Sequence, residues 1–274
     1  MYLRVACIGA AALFAVNASA QVYDLRTDWS ETSNPNGAWS YRHGSKPLPH
    51  VDAWQRNLGG WTTFQPGWAR SEDANTRLPF WFQSNGAEAF DNDFDPGDIV
   101  VHTTDPGNGV GSGEANVFWT SPGIGLATVS GAVWLGRDIG RSNQWTLYRG
   151  GTSLSSGQVF SGDQYNRASP FDLSTGTGGA GPLQNIHVCR GDDIRLELVR
   201  TSAAGDFCGV TLTIAFTPIA CPADFNDDGC LNSQDFFDFL VAFFAVDPGA
   251  DFNNDGAVNS QDFFDFLVAF FAAC

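Results

Sequence analysis

Hydrophobic and polar residues follow two different patterns along the chain, and these meet near Thr217 and Pro218. Before that point, short alternating runs are separated by turns rich in Gly, Ser, Asn and Pro, and no segment has a clear helical period. We predict strands at residues 99–102, 115–120, 127–135, 144–149, 194–200 and 209–216. Many short alternating strands are typical of an antiparallel β-sandwich, so residues 21–218 are expected to form one of jelly-roll type.

The chain after residue 218 contains a duplicated sequence. Residues 224–245 read DFNDDGCLNSQDFFDFLVAFFA and residues 251–272 read DFNNDGAVNSQDFFDFLVAFFA, an offset of 27 positions. Each copy begins with D-x-N-x-D-G and has Asp at loop position 12, where a helical pattern starts. Alternate residues of a curled loop point inward, and Gly at position 6 permits the sharp turn around a hard cation. The duplication therefore predicts that residues 219–274 form a small all-α module with two EF-hand-like calcium loops.

Calcium takes about six to eight oxygen ligands from side chains, backbone carbonyls and water, and we expect one ion in each loop. In the first loop the predicted ligands are Asp224, Asn226, Asp228, the carbonyl of Cys230, Asn232 through a water, and Asp235. In the second loop they are Asp251, Asn253, Asp255, the carbonyl of Ala257, Asn259 through a water, and Asp262. The alternative is that both loops are solvated Asx turns without a metal.

The two copies resemble the duplicated repeats of bacterial dockerin domains, and specifically a GC-type dockerin-like module. Dockerins also carry Asp at position 12, where an ordinary EF-hand has Glu. The resemblance covers residues 221–274 and implies calcium-dependent folding and docking to a cohesin-type receptor domain on a scaffold. The helix positions where many dockerins have Lys or Arg are Val241, Ala245, Val268 and Ala272. The predicted partner is therefore an atypical cohesin or another scaffold protein.

The helical stretch FFDFLVAFF is apolar nearly all round. One face of the first copy contains Phe236, Phe239, Leu240 and Phe243, and a second face contains Phe237, Val241 and Phe244. A module this small has little interior to bury both faces, so we expect one to meet a partner; the alternative is that both pack internally. With the polar loop residues that dockerins use for recognition, the predicted partner-binding residues are Ser233, Gln234, Phe237, Val241, Phe244, Ser260, Gln261, Phe264, Val268 and Phe271.

Composition changes at the same boundary. Residues 219–274 contain ten Asp and no Glu, Lys, Arg or His, whereas residues 21–218 contain twenty acidic residues and thirteen Lys or Arg. All nine Trp precede residue 218, and twelve of the 23 Phe follow it. The net charge of −16 argues against a nucleic-acid partner, because phosphate binding requires clustered basic residues.

Residues 1–20 have the pattern of a secretory signal peptide. Arg4 precedes an apolar run over residues 5–16, and the small-residue site Ala18-Ser19-Ala20 follows. The run is shorter than the roughly 20 residues that a membrane-spanning helix needs, and no later segment qualifies. We therefore expect a secreted, extracellular protein without a membrane span; attachment to a cell surface is the alternative left open.

Five cysteines follow the predicted signal peptide, in an environment that would permit disulfides. Cys221 opens the C-terminal module and Cys274 closes it, so a bridge between them would stabilise a domain with little core. Cys189 and Cys208 flank an expected hairpin and form the second predicted pair. This leaves Cys230 unpaired, although pairings that involve Cys230 stay open.

The first domain has fewer functional signals. The stretches VFWTSPGIGLATVSGAVWL and NQWTLYRGGTSLSSG resemble the galactose-binding-like sandwiches found beside secreted carbohydrate-active modules, which implies a polysaccharide ligand. The candidates for stacking on a sugar are Trp39, Trp54, Trp61, Trp68 and Trp81 in loop-like sequence, whereas Trp119, Trp134 and Trp145 are expected in the core. For any one loop Trp, the alternative is packing beneath a loop. Asp91, Asp93, Asp95 and Asp98 are interpreted as a solvated turn, because Pro96 stands where a calcium loop needs Gly.

No catalytic motif stands out in the sequence. Glycoside hydrolysis needs two carboxylates about 5 to 10 Å apart, and the five Glu of the first domain have no recognisable spacing; Glu114 is the best placed of them. The first hypothesis is therefore a non-catalytic, secreted sandwich that a dockerin anchors to a scaffold. The alternatives are a polysaccharide hydrolase with an unfamiliar active site, and a structural surface protein that self-associates through its Phe-rich helices.

Overall fold

The structure is a computed structural model. It describes residues 19–55, 64–73, 75–86, 93–107, 114–272 and 274. Most of the predicted signal peptide, together with Trp61 and Asp91, lies outside the described residues.

The described part of residues 21–218 consists almost entirely of strands and turns. In chain order the strands are β1 (Gln21–Asp24), β2 (Trp39–His43), β3 (Lys46–Pro47), β4 (His50–Val51), β5 (Gly67–Ala69), β6 (Phe80–Gln83), β7 (Ile99–His102), β8 (Ala115–Thr120), β9 (Gly125–Leu135), β10 (Ser142–Arg149), β11 (Thr152–Phe160), β12 (Phe171–Asp172), β13 (Ile186–Val188), β14 (Asp193–Arg200) and β15 (Phe207–Pro218). The predicted strands all occur, and β7 and β8 have the predicted bounds. The strands β1 to β6 and β11 to β13 were not predicted. Except for β11, these are runs of two to five residues, which carry little readable period.

These strands form two antiparallel sheets within the described residues. The larger sheet has the order β12-β9-β15-β7-β6-β5-β4, with β1 beside β15 and β13 beside β9. The smaller sheet has the order β11-β10-β14-β8-β2-β3. Residues of both sheets, such as Trp81 and Val133 from the larger and Trp119 and Leu196 from the smaller, share one buried core. The predicted mainly-β fold with an antiparallel sandwich is confirmed.

Part of the larger sheet is buried on its outer side as well. Successive strand residues point to opposite faces, so Phe80 and Phe82 face away from Trp81, which lies in the sandwich core. They join a second buried cluster that includes Trp54 and Phe207. The region of β5 to β7 is therefore covered on both faces.

The C-terminal module consists of two loops, each followed by a helix. The helices are α1 (Ser233–Phe244) and α2 (Ser260–Ala272), and a 3-10 turn (Pro248–Ala250) lies between them. Asn232 begins α1 with a capping box, because its side chain accepts from Gln234 N while the Asp235 carboxylate accepts from Asn232 N. Among the described residues, no helix is long and apolar enough to cross a bilayer.

A symmetric aromatic core joins the two repeats. The rings of Phe239 and Phe266, equivalent residues of the two copies, stack with centroids 4.0 Å apart and an interplanar angle of 3°. The ring centroids of Phe236 and Phe270 are 5.8 Å apart, and those of the equivalent pair Phe243 and Phe263 are also 5.8 Å apart. Exchanging the copies exchanges these two contacts, so the helices are antiparallel and related by an approximate twofold axis.

The disulfides differ from the prediction at one of the two pairs. Cys221 is joined to Cys274, the pair that was predicted to close the module. Cys189 is joined to Cys230, with the Cα atoms 4.8 Å apart, so the predicted pairing of Cys189 with Cys208 is wrong. Cys208 is a free thiol buried in β15, whereas Cys189 lies in the turn between β13 and β14, which contacts the first loop of the module.

Candidate functional site

The two predicted calcium loops have nearly the same hydrogen bonds. In the first loop, the Asp224 carboxylate accepts from Asp228 N at 3.1 Å and from Gly229 N at 2.9 Å. In the second loop, the Asp251 carboxylate accepts from the equivalent amides of Asp255 and Gly256 at 3.0 and 2.8 Å. Gly229 and Gly256 have φ of 87° and 92°, the left-handed conformation that a Gly at position 6 permits.

The acid at loop position 12 closes each loop. Asp235 is fully buried, and its two oxygens accept from Asn226 N at 3.4 Å and Asn232 N at 2.8 Å. Asp262 is buried in the same way and accepts from Asn253 N at 3.2 Å and Asn259 N at 2.8 Å. The position-12 carboxylate thus joins the start of each loop to the start of its helix.

Each loop is also bonded to one helix residue that was not predicted from the sequence, Asp238 of α1 or Asp265 of α2. The Asn226 amide donates to Asp238 at 3.2 Å, and the Asn253 amide donates to Asp265 at 3.3 Å. These bonds hold the Asn side chain so that its oxygen, which accepts from the position-5 amide, stays in the loop. The signal was present in the repeat, because both aspartates recur at the same place in the copies.

A calcium site requires several oxygen ligands that converge on one point. Within the described residues, no group of three or more His, Cys, Asp or Glu is arranged to hold a metal ion. The donor set nevertheless suits a hard cation, because carboxylates, Asn oxygens and backbone carbonyls are the ligands that calcium prefers. Burial, and then the charges of Asp235 and Asp228, raise the pKa of the Asp224 carboxyl. Carboxylates that repel one another in this way would be stabilised by a cation.

One face of each helix is exposed. Phe237, Val241 and Phe244 of α1 keep 57, 72 and 77% of their surface accessible, and Phe264, Val268 and Phe271 of α2 keep 57, 71 and 77%. We call these six side chains the outer helix face. Ser233, Gln234, Ser260 and Gln261 are also exposed. The predicted partner-binding residues are therefore all accessible in the described chain, and the apolar ones keep more than half of their surface exposed.

The first loop is fixed to the sandwich. Besides the Cys189–Cys230 disulfide, Arg190 N donates to Gly229 O at 2.9 Å and the Arg190 guanidinium donates to Asp227 O at 3.2 Å. Gly256, the equivalent of Gly229 in the second loop, has no neighbour within 4 Å of the place where a Cβ would stand. The sandwich therefore covers one side of the first loop and leaves the second open.

The predicted sugar-stacking tryptophans are buried where the structure describes them. Trp39, Trp54, Trp68 and Trp81 keep at most 4% of their surface accessible, so they cannot present a face to a sugar. They belong to short strands or pack beneath loops. Trp119, Trp134 and Trp145 are in strands and buried, as predicted.

Among the described tryptophans, Trp29 alone is only partly buried. It lines an open recess of about 470 Å³ with Tyr23, Asp28 and Asn36. Its indole N–H donates to Glu31 at 2.7 Å, which fixes the ring. An accessible aromatic ring beside a carboxylate and an amide can bind a pyranose by stacking and hydrogen bonding.

The acidic candidates of the sandwich that the structure describes are Glu114 and the turn that contains Asp93, Asp95 and Asp98. Glu114 is exposed, just before β8, and its charge contributes, after burial, to a raised pKa of Glu197. The acidic turn is ion-paired rather than simply solvated. The Nη1 atom of Arg167 lies 2.7 Å from Asp95 Oδ2, and its Nε atom lies 2.6 Å from Asp98 Oδ2.

Comparison with known proteins gives no close relative. No protein-family model and no curated protein matches the chain. Among solved structures, the chain is similar to a xylan-binding module CBM15, at 8% identity and a TM-score of 0.31 over 74% of this chain and all of that one. It is also similar to a carbohydrate-binding module CBM36 in complex with calcium and xylotriose, at 16% identity and a TM-score of 0.24 over 62% of this chain and all of that one. At these TM-scores the likeness carries no argument about ligands.

Proposed function

We propose that residues 219–274 form a calcium-binding, dockerin-like module that anchors a secreted, non-catalytic β-sandwich to a cohesin-type scaffold protein. The observation that carries the proposal is the outer helix face, with three large apolar side chains exposed at equivalent positions of both repeats. A soluble domain rarely exposes contiguous apolar side chains unless they meet a partner. The approximate twofold axis gives the partner two equivalent surfaces.

Calcium has a structural role in this proposal. Each loop would supply its Asp and Asn oxygens and the position-7 carbonyl, with water completing the shell. The ion would hold the loop against the start of the helix, where the position-12 carboxylate already bonds to both. The outer helix face would then depend on calcium, since both helices begin at these loops.

The proposal is tested by capture of the mature chain, residues 21–274, on a panel of immobilised cohesin-type domains. We expect binding in calcium, loss of binding in chelator, and a loss of about 100-fold or more when Phe237→Ser and Phe264→Ser are combined, because central aromatic residues dominate interfaces. Val22→Ser combined with Phe160→Ser is the matched control, because both residues are exposed on the sandwich.

Two results would contradict the anchoring function. One is that no cohesin-type domain binds at any calcium concentration. The other is that light scattering finds an oligomer of the chain which the Phe237→Ser and Phe264→Ser variant dissolves, because the outer helix face would then serve self-association.

The sandwich has a second proposed role, as a carbohydrate-binding domain. The recess beside Trp29 supports it, because an accessible indole ring lies there with Asp28 and Asn36. Binding to an array of neutral polysaccharides, compared between the natural chain and Trp29→Ala, tests this role. If Trp29→Ala binds every polysaccharide as the natural chain does, the recess is not a glycan site.

A further inference from the structure

A polar cavity of about 170 Å³ lies on the outer side of the larger sheet. Phe80, His102 and Phe207 occupy one row across β6, β7 and β15, since His102 pairs with both phenylalanines. Their side chains therefore share a face of the sheet, and all three line the cavity together with Trp54. One wall of the cavity is aromatic, with the rings of Trp54 and Phe80 stacked 4.4 Å apart.

The remaining wall carries more positive than negative charge. Arg77, Arg137, Arg141 and Asp105 line it. The Arg137 guanidinium donates to the buried Asp206 carboxylate, with Nε at 3.0 Å, and lies 4.9 Å from the Phe207 ring centre. The Nη1 atom of Arg141 lies 4.0 Å from Asp105 Oδ1. Among the described residues of this wall, three guanidinium groups and two carboxylates leave one positive charge, in a chain with a net charge of −16.

Arg77 is the guanidinium that lacks a carboxylate partner. Its one hydrogen bond in the described structure goes to the carbonyl of Trp54 at a long 3.4 Å, and no described carboxylate lies within 4.0 Å. Burial lowers the pKa of the Arg77 guanidinium, although Asp105 and Asp73 act in the opposite direction. A partly buried charge without a partner is costly, and an anion in the cavity would remove that cost.

His102 adds a neutral group to the cavity. Burial lowers the pKa of its imidazole, so the ring is neutral at pH 7. Its Nδ1 bonds to the carbonyl of Thr103 and must carry the proton, which leaves Nε2 as an acceptor. A hydroxyl group of a ligand can therefore donate to His102.

We propose that this cavity binds a sugar acid, with the carboxylate of a uronic acid residue beside Arg77 and the apolar face of its pyranose ring against the aromatic wall. A planar guanidinium binds a carboxylate through two parallel hydrogen bonds. One excess positive charge matches a singly charged carboxylate. The cavity volume of about 170 Å³ suits a ligand of the size of one sugar residue. The inference deepens the carbohydrate-binding role proposed above and rests on it.

The test is calorimetric titration of the mature chain with D-galacturonate and D-glucuronate, and with D-galactose as the uncharged analogue. We expect a uronate to bind at least about tenfold more tightly than galactose, and Arg77→Gln to weaken that binding about tenfold or more, as a charged hydrogen bond implies. Arg149→Gln is the control, because Arg149 is exposed and pairs with Asp192 at 3.0 Å.

A ligand-side experiment covers the case in which Arg77→Gln does not fold. The methyl ester of D-galacturonate removes the charge and leaves the protein unchanged, so it should bind about as weakly as galactose. Equal binding of acid, ester and galactose would overturn the proposal, and so would equal binding of acetate and galacturonate. If Trp29→Ala abolishes binding of neutral polysaccharides while no uronate binds, the result supports the carbohydrate-binding role and contradicts the sugar-acid site.

Discussion

Two phenylalanines of α1, two positions apart, have opposite environments. Phe239 is fully buried and stacks on Phe266, whereas Phe237 is 57% exposed. We expect Phe239→Ala to destabilise the module by about 3–5 kcal/mol, because it removes a ring from a closed aromatic core. Phe237→Ala should change stability by no more than about 0.5 kcal/mol. Thermal melting followed by helical circular dichroism measures both, and equal effects would contradict the described packing.

The cysteine pairing gives a second prediction at the residue scale. Cys208 is buried, and burial raises the pKa of its thiol, so the thiolate that reacts with alkylating reagents is scarce. Alkylation of the oxidised mature chain should therefore modify no cysteine in the native state and Cys208 alone after unfolding. Peptide mass mapping identifies the labelled site, and labelling of Cys230 would show that the disulfide assignment is wrong.

Some features of single residues could be predicted from the sequence, whereas others depend on the tertiary structure. Loop positions 1 and 6 could be predicted because D-x-N-x-D-G fixes the local conformation of a curled loop, and position 12 because an Asp recurs there in both copies. The burial of Trp39 and Trp81 could not be predicted from the sequence. Both residues lie in short strands, and the residues that bury them come from distant parts of the chain. The partner of Cys189 was missed for the same reason, since Cys230 is 41 residues away and is brought near by the packing of the module.

At the scale of elements, the two repeats predict redundancy in docking. The approximate twofold axis makes the three α1 side chains of the outer helix face equivalent to the three α2 side chains. A partner that needs only one set of three can therefore bind to either. Phe237→Ser or Phe264→Ser alone should weaken capture on the panel by only a few fold, whereas the double variant should lose about 100-fold or more. The matched comparison is between the two single variants. A single variant as weak as the double one would show that both faces are used together.

Most long strands were predicted, although the nine-residue strand β11 was not. The strand at residues 194–200 alternates between buried and half-buried positions, and the structure has it within one residue of the predicted bounds. The strand at residues 115–120 is buried at five of its six positions and has the predicted bounds. The helices were predicted from the helical pattern that starts at loop position 12 and recurs in both copies of the repeat. By contrast, the arginine-lined cavity joins side chains from β6, β7, β15 and the loops between other strands, which no local pattern brings together.

At the scale of the whole molecule, the sandwich and the module are connected by more than the chain. The Cys189–Cys230 disulfide, the contacts of Arg190 and a bond between His187 and Cys274 O at 3.1 Å fix the module to the turn after β13. If the module acts as the proposed anchor, these contacts would present the sandwich to a scaffold in a defined orientation.

Removing that disulfide should loosen the module. Cys189→Ser combined with Cys230→Ser opens a loop with a sequence separation of 41 residues, and chain entropy assigns such a crosslink roughly 4 kcal/mol. We expect faster proteolysis after residue 218 and a larger radius of gyration in small-angle scattering, with the sandwich still folded. Cys208→Ala, which breaks no disulfide, is the control. An unchanged radius and proteolysis rate would mean that the noncovalent contacts suffice.

The most direct test of the account is a calorimetric calcium titration of the chelator-treated mature chain with its disulfides intact. We predict two calcium ions per chain, and one when either Asp235→Asn or Asp262→Asn removes a position-12 carboxylate. Asp247→Asn is the control that should leave two, because Asp247 lies between the loops and caps the short 3-10 turn. If the natural chain binds no calcium, or if neither loop variant lowers the number of ions bound, residues 219–274 are not a calcium-dependent docking module.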